Sequence, residues 1–308
     1  MTETLRFDGR VAIVTGAGRG LGRAYARLLA ARGAQVVVND LGSGLDDDGH
    51  DAGPADTVVT EIAADGGEAL ADTSDISSPA GAEALVASAV ERFGRLDIVI
   101  NNAGIVRAGV FPEEVDEALL RRHLDVHLYG TFAVTRAAWP HLRVAGGGRV
   151  VVTASSAVFG DPLLVPYSMA KTGLLGLTHS LALAGEADGI RVNAVAPSAL
   201  TRLATQSAQP GGARASSAPI GNLEPERVAA VVAYLAHQDC PVSGEFYYAG
   251  GGQALRVVLA VSPGYFAAEL SPEDVVEHWG EINDISDLRV PPSMNAFIAA
   301  TRESVVAS

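Results

Sequence analysis

Cysteine is nearly absent from this 308-residue chain, Cys240 being the only one. A lone thiol excludes an internal disulfide framework and a zinc cluster built on cysteines. It also suits a reducing compartment. Positive charge is scarce as well. Lys and Arg number 22 against 36 Asp and Glu, a formal net charge of −14, whereas a nucleic-acid binder needs clustered cations to meet phosphates. The sequence holds no run of 18 apolar residues, so no membrane span is expected. Met1–Arg10 lacks the apolar stretch of a secretory signal. These absences lead us to expect a cytoplasmic protein with neither nucleic acid nor membrane as a partner. What remains is 48% hydrophobic and only 19% charged, with a mean hydropathy of +0.22, which excludes a disordered chain. The length allows one large α/β domain or two small ones. Either can bury a substantial core, because beyond about 150 residues roughly 70% of the unfolded surface is buried.

Short β-branched runs alternate with longer Ala/Leu-rich stretches. Strands are expected at Val11–Thr15, Gln35–Asn39, Gly67–Ala71, Leu96–Asn101, Arg149–Ala154 and Arg191–Ala196. Helices are expected at Gly20–Arg32, Thr57–Asp65, Ser78–Phe93, Glu113–Leu142 and Tyr167–Ala187. Continuous Val/Ile runs separated by helices signal a parallel sheet covered on both faces. That is the doubly wound, Rossmann-like α/β class. Three stretches break the rhythm. Gly42–Pro54 is Gly/Asp-rich and reads as a solvated surface insertion. Ser198–Asn222 is long, small and polar, the pattern of a lid or substrate loop. Gln253–Ser308 follows a triple-glycine break and forms a C-terminal extension to a catalytic domain spanning 1–252. It carries a helix candidate, Pro272–Ile282, with Ser271 as N-cap. Its apolar residues require burial against the domain or against a partner subunit.

The first strand runs into Thr15-Gly16-Ala17-Gly18-Arg19-Gly20-Leu21-Gly22. Glycines here allow a tight turn and close backbone approach to a pyrophosphate, and the next helix points its N–H groups at that anion. Asp40 ends the second strand, where a carboxylate accepts the adenosine ribose hydroxyls and repels a 2′-phosphate. Arg19 is discordant, since an arginine there could meet a 2′-phosphate. Asp40 occupies the place of that phosphate, so NAD is the expected cofactor.

Tyr167-Ser168-Met169-Ala170-Lys171 puts a phenol and an ammonium one helical turn apart on one face. A nearby cation favours the phenolate and tunes the tyrosine for acid/base work. A hydroxyl on a neighbouring strand end, such as Ser155, could hold a substrate oxygen.

With Thr15–Gly22, Asn101-Asn102-Ala103-Gly104, the Ser155 region, Tyr167-x-x-x-Lys171 and Asn193-Ala194-Val195-Ala196-Pro197 in this order, the chain resembles the short-chain dehydrogenase/reductase family over about residues 8 to 252. The resemblance implies a Rossmann-like domain with Tyr167 as acid/base, Lys171 on the nicotinamide ribose and tyrosine, and Ser155 steadying the substrate oxygen. It implies cofactor contacts from Gly16, Gly18, Arg19, Gly20, Leu21, Gly22 and Asp40. Asp75 and Ile76 would lie at the adenine, and Asn102, Ala103, Gly104 and Pro197 would flank the cofactor. Homodimers or homotetramers would form by pairing the Glu113–Leu142 and Tyr167–Ala187 helices.

A narrower resemblance rests on Gly18–Tyr25, Val36–Gly42, Asn101–Arg107, Thr135–Trp139 and Leu174–Leu177. These look like the dehydrogenase unit of peroxisomal multifunctional enzymes of type 2, which oxidises (3R)-hydroxyacyl-CoA thioesters with NAD. The chain would be a stand-alone version without hydratase or sterol-carrier domains. The expected substrate is a 3-hydroxyacyl-CoA. A hydroxysteroid or other bulky secondary alcohol is the alternative, and a non-catalytic NAD-binding scaffold is a third reading. Arg107, Arg202 and Arg214 could meet coenzyme A phosphates or be ordinary surface residues.

Two departures from the wider family stand out. Its usual asparagine, which supports a proton-relaying water, is matched here by His127, as in the narrower group. His127 and His123 could form half a metal site, but no third ligand accompanies them, so no metal is expected. The usual serine-to-tyrosine spacing is 13, whereas Ser155 lies 12 before Tyr167. A one-residue deletion within Ala157–Pro166 accounts for this, with Ser155 the candidate and Ser156 the alternative.

Overall fold

The computed structural model describes residues 4–43, 53–107, 112–200 and 223–306. Most of Gly42–Pro54 and of Ser198–Asn222 lies outside the described residues, and with it Arg202 and Arg214. The first half of the chain lays down β1 (Val11–Thr15), α1 (Gly20–Ala31), β2 (Gln35–Asn39), α2 (Gly53–Ala64), β3 (Glu68–Asp72), α3 (Pro79–Phe93) and β4 (Ile98–Asn101). The strands alternate with helices because their Val/Ile runs are buried on both faces. Every residue of β1 and β4 is buried.

The expected single helix at Glu113–Leu142 is broken: a 3-10 turn at Pro112–Glu114 precedes three further pieces. They are α4 (Glu117–Leu124), a widened π turn at Asp125–Tyr129, and α5 (Gly130–Val144). Asp116 caps α4 by accepting from the Leu119 N–H. Beyond these come β5 (Arg149–Thr153), α6 (Val165–Gly185), β6 (Arg191–Ser198), α7 (Pro225–Ala236), β7 (Phe246–Gly250) and β8 (Gln253–Val257).

The eight strands form one sheet in the order β3-β2-β1-β4-β5-β6-β7-β8. The pairs from β3 across to β7 are all parallel. This is the doubly wound Rossmann-like arrangement expected from the sequence. Helix α1 packs beside α7 and α2, α3 beside α5, and α4 beside α6. The strand order reverses between β1 and β4, which opens a crevice beyond their carboxyl ends.

Charged side chains hold the opposite, amino edge of the sheet. Asp97, just before β4, is 3% exposed. It accepts from Arg10, Arg95 and the Val11 N–H. Burial alone would push its pKa up. The hydrogen bonds from Arg95, Val11 and Arg10 outweigh burial and hold the carboxyl below its usual range. Arg149, at the start of β5, is buried. It donates to the carbonyls of His237, Gly148 and Gln238, capping the carboxyl end of α7 as a cation should.

The chain divides into two compact units, Met1–Arg256 and Val257–Ser308. In the second, α8 (Pro272–Glu277) starts with a capping box between Ser271 and Asp274. The expected helix Pro272–Ile282 is interrupted at His278 and resumes as α9 (Trp279–Ile282), and α10 (Met294–Val306) comes next. An antiparallel bridge joins Val261 to Arg289, and the rings of Tyr265 and His278 stack 3.7 Å apart.

Removing the Arg149 guanidinium takes its donors from the buried His237 carbonyl and from the Gln238 carbonyl beside it. Arg149→Met is expected to lower the unfolding free energy by about 2–4 kcal/mol. Urea denaturation measures this, and a loss below about 0.5 kcal/mol would contradict the capping role.

Candidate active site

The carboxyl ends of β1 and β4 are tied together by a threonine and an asparagine. The hydroxyl of Thr15 accepts from the Asn102 N–H at 2.9 Å and the Ala103 N–H at 3.1 Å. The Asn102 amide in turn donates to the carbonyls of Thr15 and Gly16. Gly16 has φ +62, and a Cβ there would come within 2.8 Å of the Ala103 backbone. A Cβ on Gly22 would lie 2.1 Å from the Gly16 carbonyl. The loop therefore needs glycine at both positions to fold back on itself.

Asp40 lies over this loop. One carboxylate oxygen accepts from the Gly18 N–H and the other from the Gly42 N–H, both at 2.8 Å. Arg19, the N-cap of α1, makes no side-chain cap, and the first turn carries no acidic residue. Helices α3, α4 and α8 by contrast are closed by Ser78, Asp116 and Ser271. An uncapped helix start beside a glycine loop, with a carboxylate at the next strand end, fits the pyrophosphate and ribose of a nicotinamide dinucleotide. The side chain of Asp75 is engaged locally, accepting from the Ser77 N–H and hydroxyl. Ile76 beside it is buried.

Lys171 is the only lysine in the chain. It sits on α6, 3% exposed, and its ammonium donates to the Thr153 carbonyl at the end of β5 at 2.5 Å. Nζ lies 5.6 Å from the centre of the Tyr167 ring. The helix thus brings phenol and ammonium together as the i, i+4 spacing requires. Burial pulls the Lys171 pKa from 10.5 down to about 7.

Ser155 follows β5, buried, and its hydroxyl accepts from the Ala157 N–H while it caps a short 3-10 turn at Ser156–Phe159. Ser156 is exposed. That turn packs against α6, which carries Tyr167. Pro197 lies within β6 at its carboxyl end.

His127, on the π turn, is fully enclosed. Its Nε2 lies 2.8 Å from the Ile105 carbonyl, and its ring meets Tyr167 edge-on at 5.2 Å. Burial first, then the charge of Lys171, push its pKa well below the usual imidazole value, so the ring is neutral. His123, one turn earlier, is also buried and stacks 6.0 Å from His127. Among the described residues no group of three or more His, Cys, Asp or Glu converges as a metal site, and no helix is long and apolar enough to cross a membrane. Three features escaped the sequence reading: the Thr15 hydroxyl as a strand tie, the Thr153 carbonyl as the lysine's acceptor, and His123 beside Tyr167. The single lysine was the available signal for the second.

The short chain dehydrogenase family model matches residues 10–211. A short-chain type dehydrogenase/reductase of Mycobacterium tuberculosis is 43% identical over 91% of this chain and 96% of its own length. The peroxisomal multifunctional enzyme type 2 of Mus musculus is 40% identical over 96% of this chain, which spans 39% of that enzyme. The solved full-length peroxisomal multifunctional enzyme type 2 of Drosophila melanogaster superposes with a TM-score of 0.78 at 31% identity, covering 98% of this chain and 50% of that one.

The low Lys171 pKa has a consequence for stability. Between pH 7 and 10.5 the unfolded state binds a proton that the folded state has released, so this group's contribution becomes more favourable as pH rises. The slope is at most about 1.4 kcal/mol per pH unit. Below pH 7 the full cost of burying the cation is present. Lys171→Met removes that cost, so its stability advantage over the wild type should shrink from pH 7 to pH 10. Parallel denaturation curves at several pH values test this, and a pH-independent difference would refute it.

Proposed function

The chain belongs to the short-chain dehydrogenase family of oxidoreductases acting on CH–OH groups, and from that premise we propose that it oxidises a 3-hydroxyacyl-CoA with NAD. The observation that carries the reading is the buried Lys171 ammonium, anchored at the end of β5 one turn from Tyr167. Gly16, Gly18, Arg19, Gly20, Leu21 and Gly22 would hold the pyrophosphate, and Asp40 the adenosine ribose. Asp75 and Ile76 would border the adenine. Asn102, Ala103, Gly104 and Pro197 would line the nicotinamide half, with Tyr167 and Lys171 at its ribose. Bound there, the nicotinamide supplies the hydride acceptor.

The protein's own part is proton management and positioning. The Lys171 cation favours the phenolate form of Tyr167, which accepts the substrate hydroxyl proton and becomes the neutral phenol as the hydride leaves the carbinol carbon. Ser155 donates a hydrogen bond to the substrate oxygen and orients the carbinol carbon. Its buried place at the strand end, against the exposed Ser156, supports Ser155 over the alternative. The likeness to type 2 multifunctional enzymes supports the acyl-CoA class. Assembly as a homodimer or homotetramer would use the α5 and α6 faces, where Phe132, Met169 and Leu183 are exposed.

An NAD-reduction screen across acyl-CoA lengths, hydroxysteroids and simple secondary alcohols tests the substrate class. Acyl-CoA thioesters are expected to lead, and a clear preference for steroids would overturn that assignment. Tyr167→Phe is expected to lower turnover by 10²–10⁴-fold with NAD affinity nearly intact, and Ser155→Ala to be worse than Ser156→Ala. Turnover of Tyr167→Phe near the wild-type level would sink the mechanism.

Asp40 governs cofactor choice. NAD is expected to bind at least about tenfold more tightly than NADP, about 1.4 kcal/mol, and Asp40→Ala to shrink that ratio. Equal affinities in the wild type, measured by titration calorimetry, would refute the assignment.

A further inference from the structure

Two carboxylates stand at the end of β3 and just beyond it, and they differ in what is left over. Asp72 spends both oxygens inside the protein. Its Oδ1 accepts from the Asn39 amide and the Ser74 N–H, both at 2.8 Å, and its Oδ2 accepts from the Ser74 and Ser88 hydroxyls at 3.2 and 3.3 Å. Asp75 spends one. Its Oδ1 accepts from the Ser77 N–H at 2.9 Å and from the Ser77 hydroxyl at 2.7 Å. Among the described residues no donor meets its Oδ2.

The backbone at Asp75 is fixed from α3. The Ser78 hydroxyl donates to the Asp75 carbonyl at 3.0 Å and accepts from the Gly81 N–H to cap the helix. A Cβ on Gly81 would lie 2.1 Å from that carbonyl, so the helix start needs glycine to sit against the loop. On the other side, a Cβ on Gly130 would come within 3.1 Å of the Ile76 carbonyl, which seats the same loop against the start of α5.

The side chain is fixed from farther away in sequence. Arg122, half-buried on α4, donates from Nη1 to the Ser77 hydroxyl at 3.1 Å across 45 residues of chain. Its neighbour Arg121 is exposed and pairs with Glu117 one turn back, an ordinary i, i+4 clasp. The Ser77 hydroxyl thus accepts from a guanidinium and gives its one proton to Asp75. Linked hydrogen bonds polarise one another, so the arginine strengthens the bond that holds the carboxylate.

We propose that Arg122 is a positioning residue for the dinucleotide's adenine: acting through Ser77, it fixes Asp75 by Oδ1 so that Oδ2 is presented to the exocyclic amino group of the base. The proposal rests on the dinucleotide reading of the site. An ionised carboxylate only accepts, so it requires a donor at that position of the ligand. The amino group of adenine is such a donor, and the carbonyl oxygen that replaces it in hypoxanthine is not. The order of the contacts makes a second demand. Once the Ser77 hydroxyl is gone, removing the arginine should cost nothing more.

The test measures the Kd of NAD and of nicotinamide hypoxanthine dinucleotide by titration calorimetry. The full-chain proteins are the wild type, Arg122→Met, Arg122→Lys, Ser77→Ala and the Ser77→Ala/Arg122→Met double variant, each checked for cooperative thermal unfolding. The wild type is expected to prefer NAD by at least about fivefold. Arg122→Met is expected to weaken NAD by about three- to tenfold and the hypoxanthine analogue by less than about twofold. Arg122→Lys keeps a donor and should stay closer to the wild type than to Arg122→Met. The double variant should lie within about twofold of Ser77→Ala. At saturating NAD, kcat of Arg122→Met should stay within about twofold of the wild type.

Equal losses for the two dinucleotides would overturn the proposal, as would additive losses in the double variant or a larger drop in kcat. A wild type that binds both dinucleotides equally overturns it and leaves the dinucleotide reading standing. A wild type that binds neither ends that reading, and the proposal with it. If Arg122→Met does not fold, Ser77→Ala must lower the preference for NAD more than Arg122→Lys does, and the reverse order overturns the proposal.

Discussion

The ammonium of Lys171, held against the Thr153 carbonyl at the carboxyl end of β5, is the contact on which the arrangement of the site depends. It joins helix α6 to the sheet at the point where the helix presents Tyr167. A buried cation is costly unless a dipole or an anion compensates it. Here the compensation is one backbone carbonyl, and the cost appears as a pKa pulled down to about 7. A group in that state is poised for acid/base work near neutral pH. The chain has no other lysine, so this residue type is reserved for the site while every other cation is an arginine, histidine or terminus.

The second organising constraint is the continuity of the segment leaving β4. Asn102 and Ala103 bond to Thr15, Gly104 runs along the His127 ring, and Ile105 meets Nε2 of that ring. Four successive residues thus link the glycine loop to the wall behind Tyr167. A displacement at either end is transmitted because each link is a backbone hydrogen bond or a contact with no spare space, and close-packed interiors pass strain on.

The legible parts of the fold were those with a strong period. The strands Val11–Thr15 and Gln35–Asn39 were readable to the residue, and Ser78 and Ser271 were visible as helix starts. The break in Glu113–Leu142 was not readable. A π turn keeps nearly the same apolar spacing as an α-helix, so the period alone does not reveal it. Helix α7 and strand β7 were missed, although Glu224-Pro225 is a plain helix start and Phe246–Gly250 ends in the triple glycine. Of the candidate site, the approach of Lys171 to Tyr167 and of Asp40 to the glycine loop was legible from fixed spacings and strand ends. Thr153 was not, because its contribution is a carbonyl that any residue at that position supplies.

The two edges of the sheet divide the charge between them. At the amino edge Arg10, Arg95 and Arg149 are consumed by Asp97 and by the carbonyls that end α7. Those contacts are saturated, so that edge is stable and chemically quiet. At the carboxyl edge β1, β2, β4 and β5 end in Thr15, Asn39, Asn101 and Thr153, neutral hydrogen-bonding groups, and β3 ends in Asp72, which accepts from Asn39, with Asp40 and Lys171 as further charges nearby. Buried polar atoms remain unpaired there, among them Asn101 Oδ1, Thr153 Oγ1 and His127 Nδ1. Unpaired buried polar atoms are costly. In a doubly wound sheet, ligands bind beyond the carboxyl ends of the strands, so a ligand bound at this edge can supply partners for them. The strongly acidic composition fits this division. Most arginines serve as local structural clasps, which leaves the surface acidic.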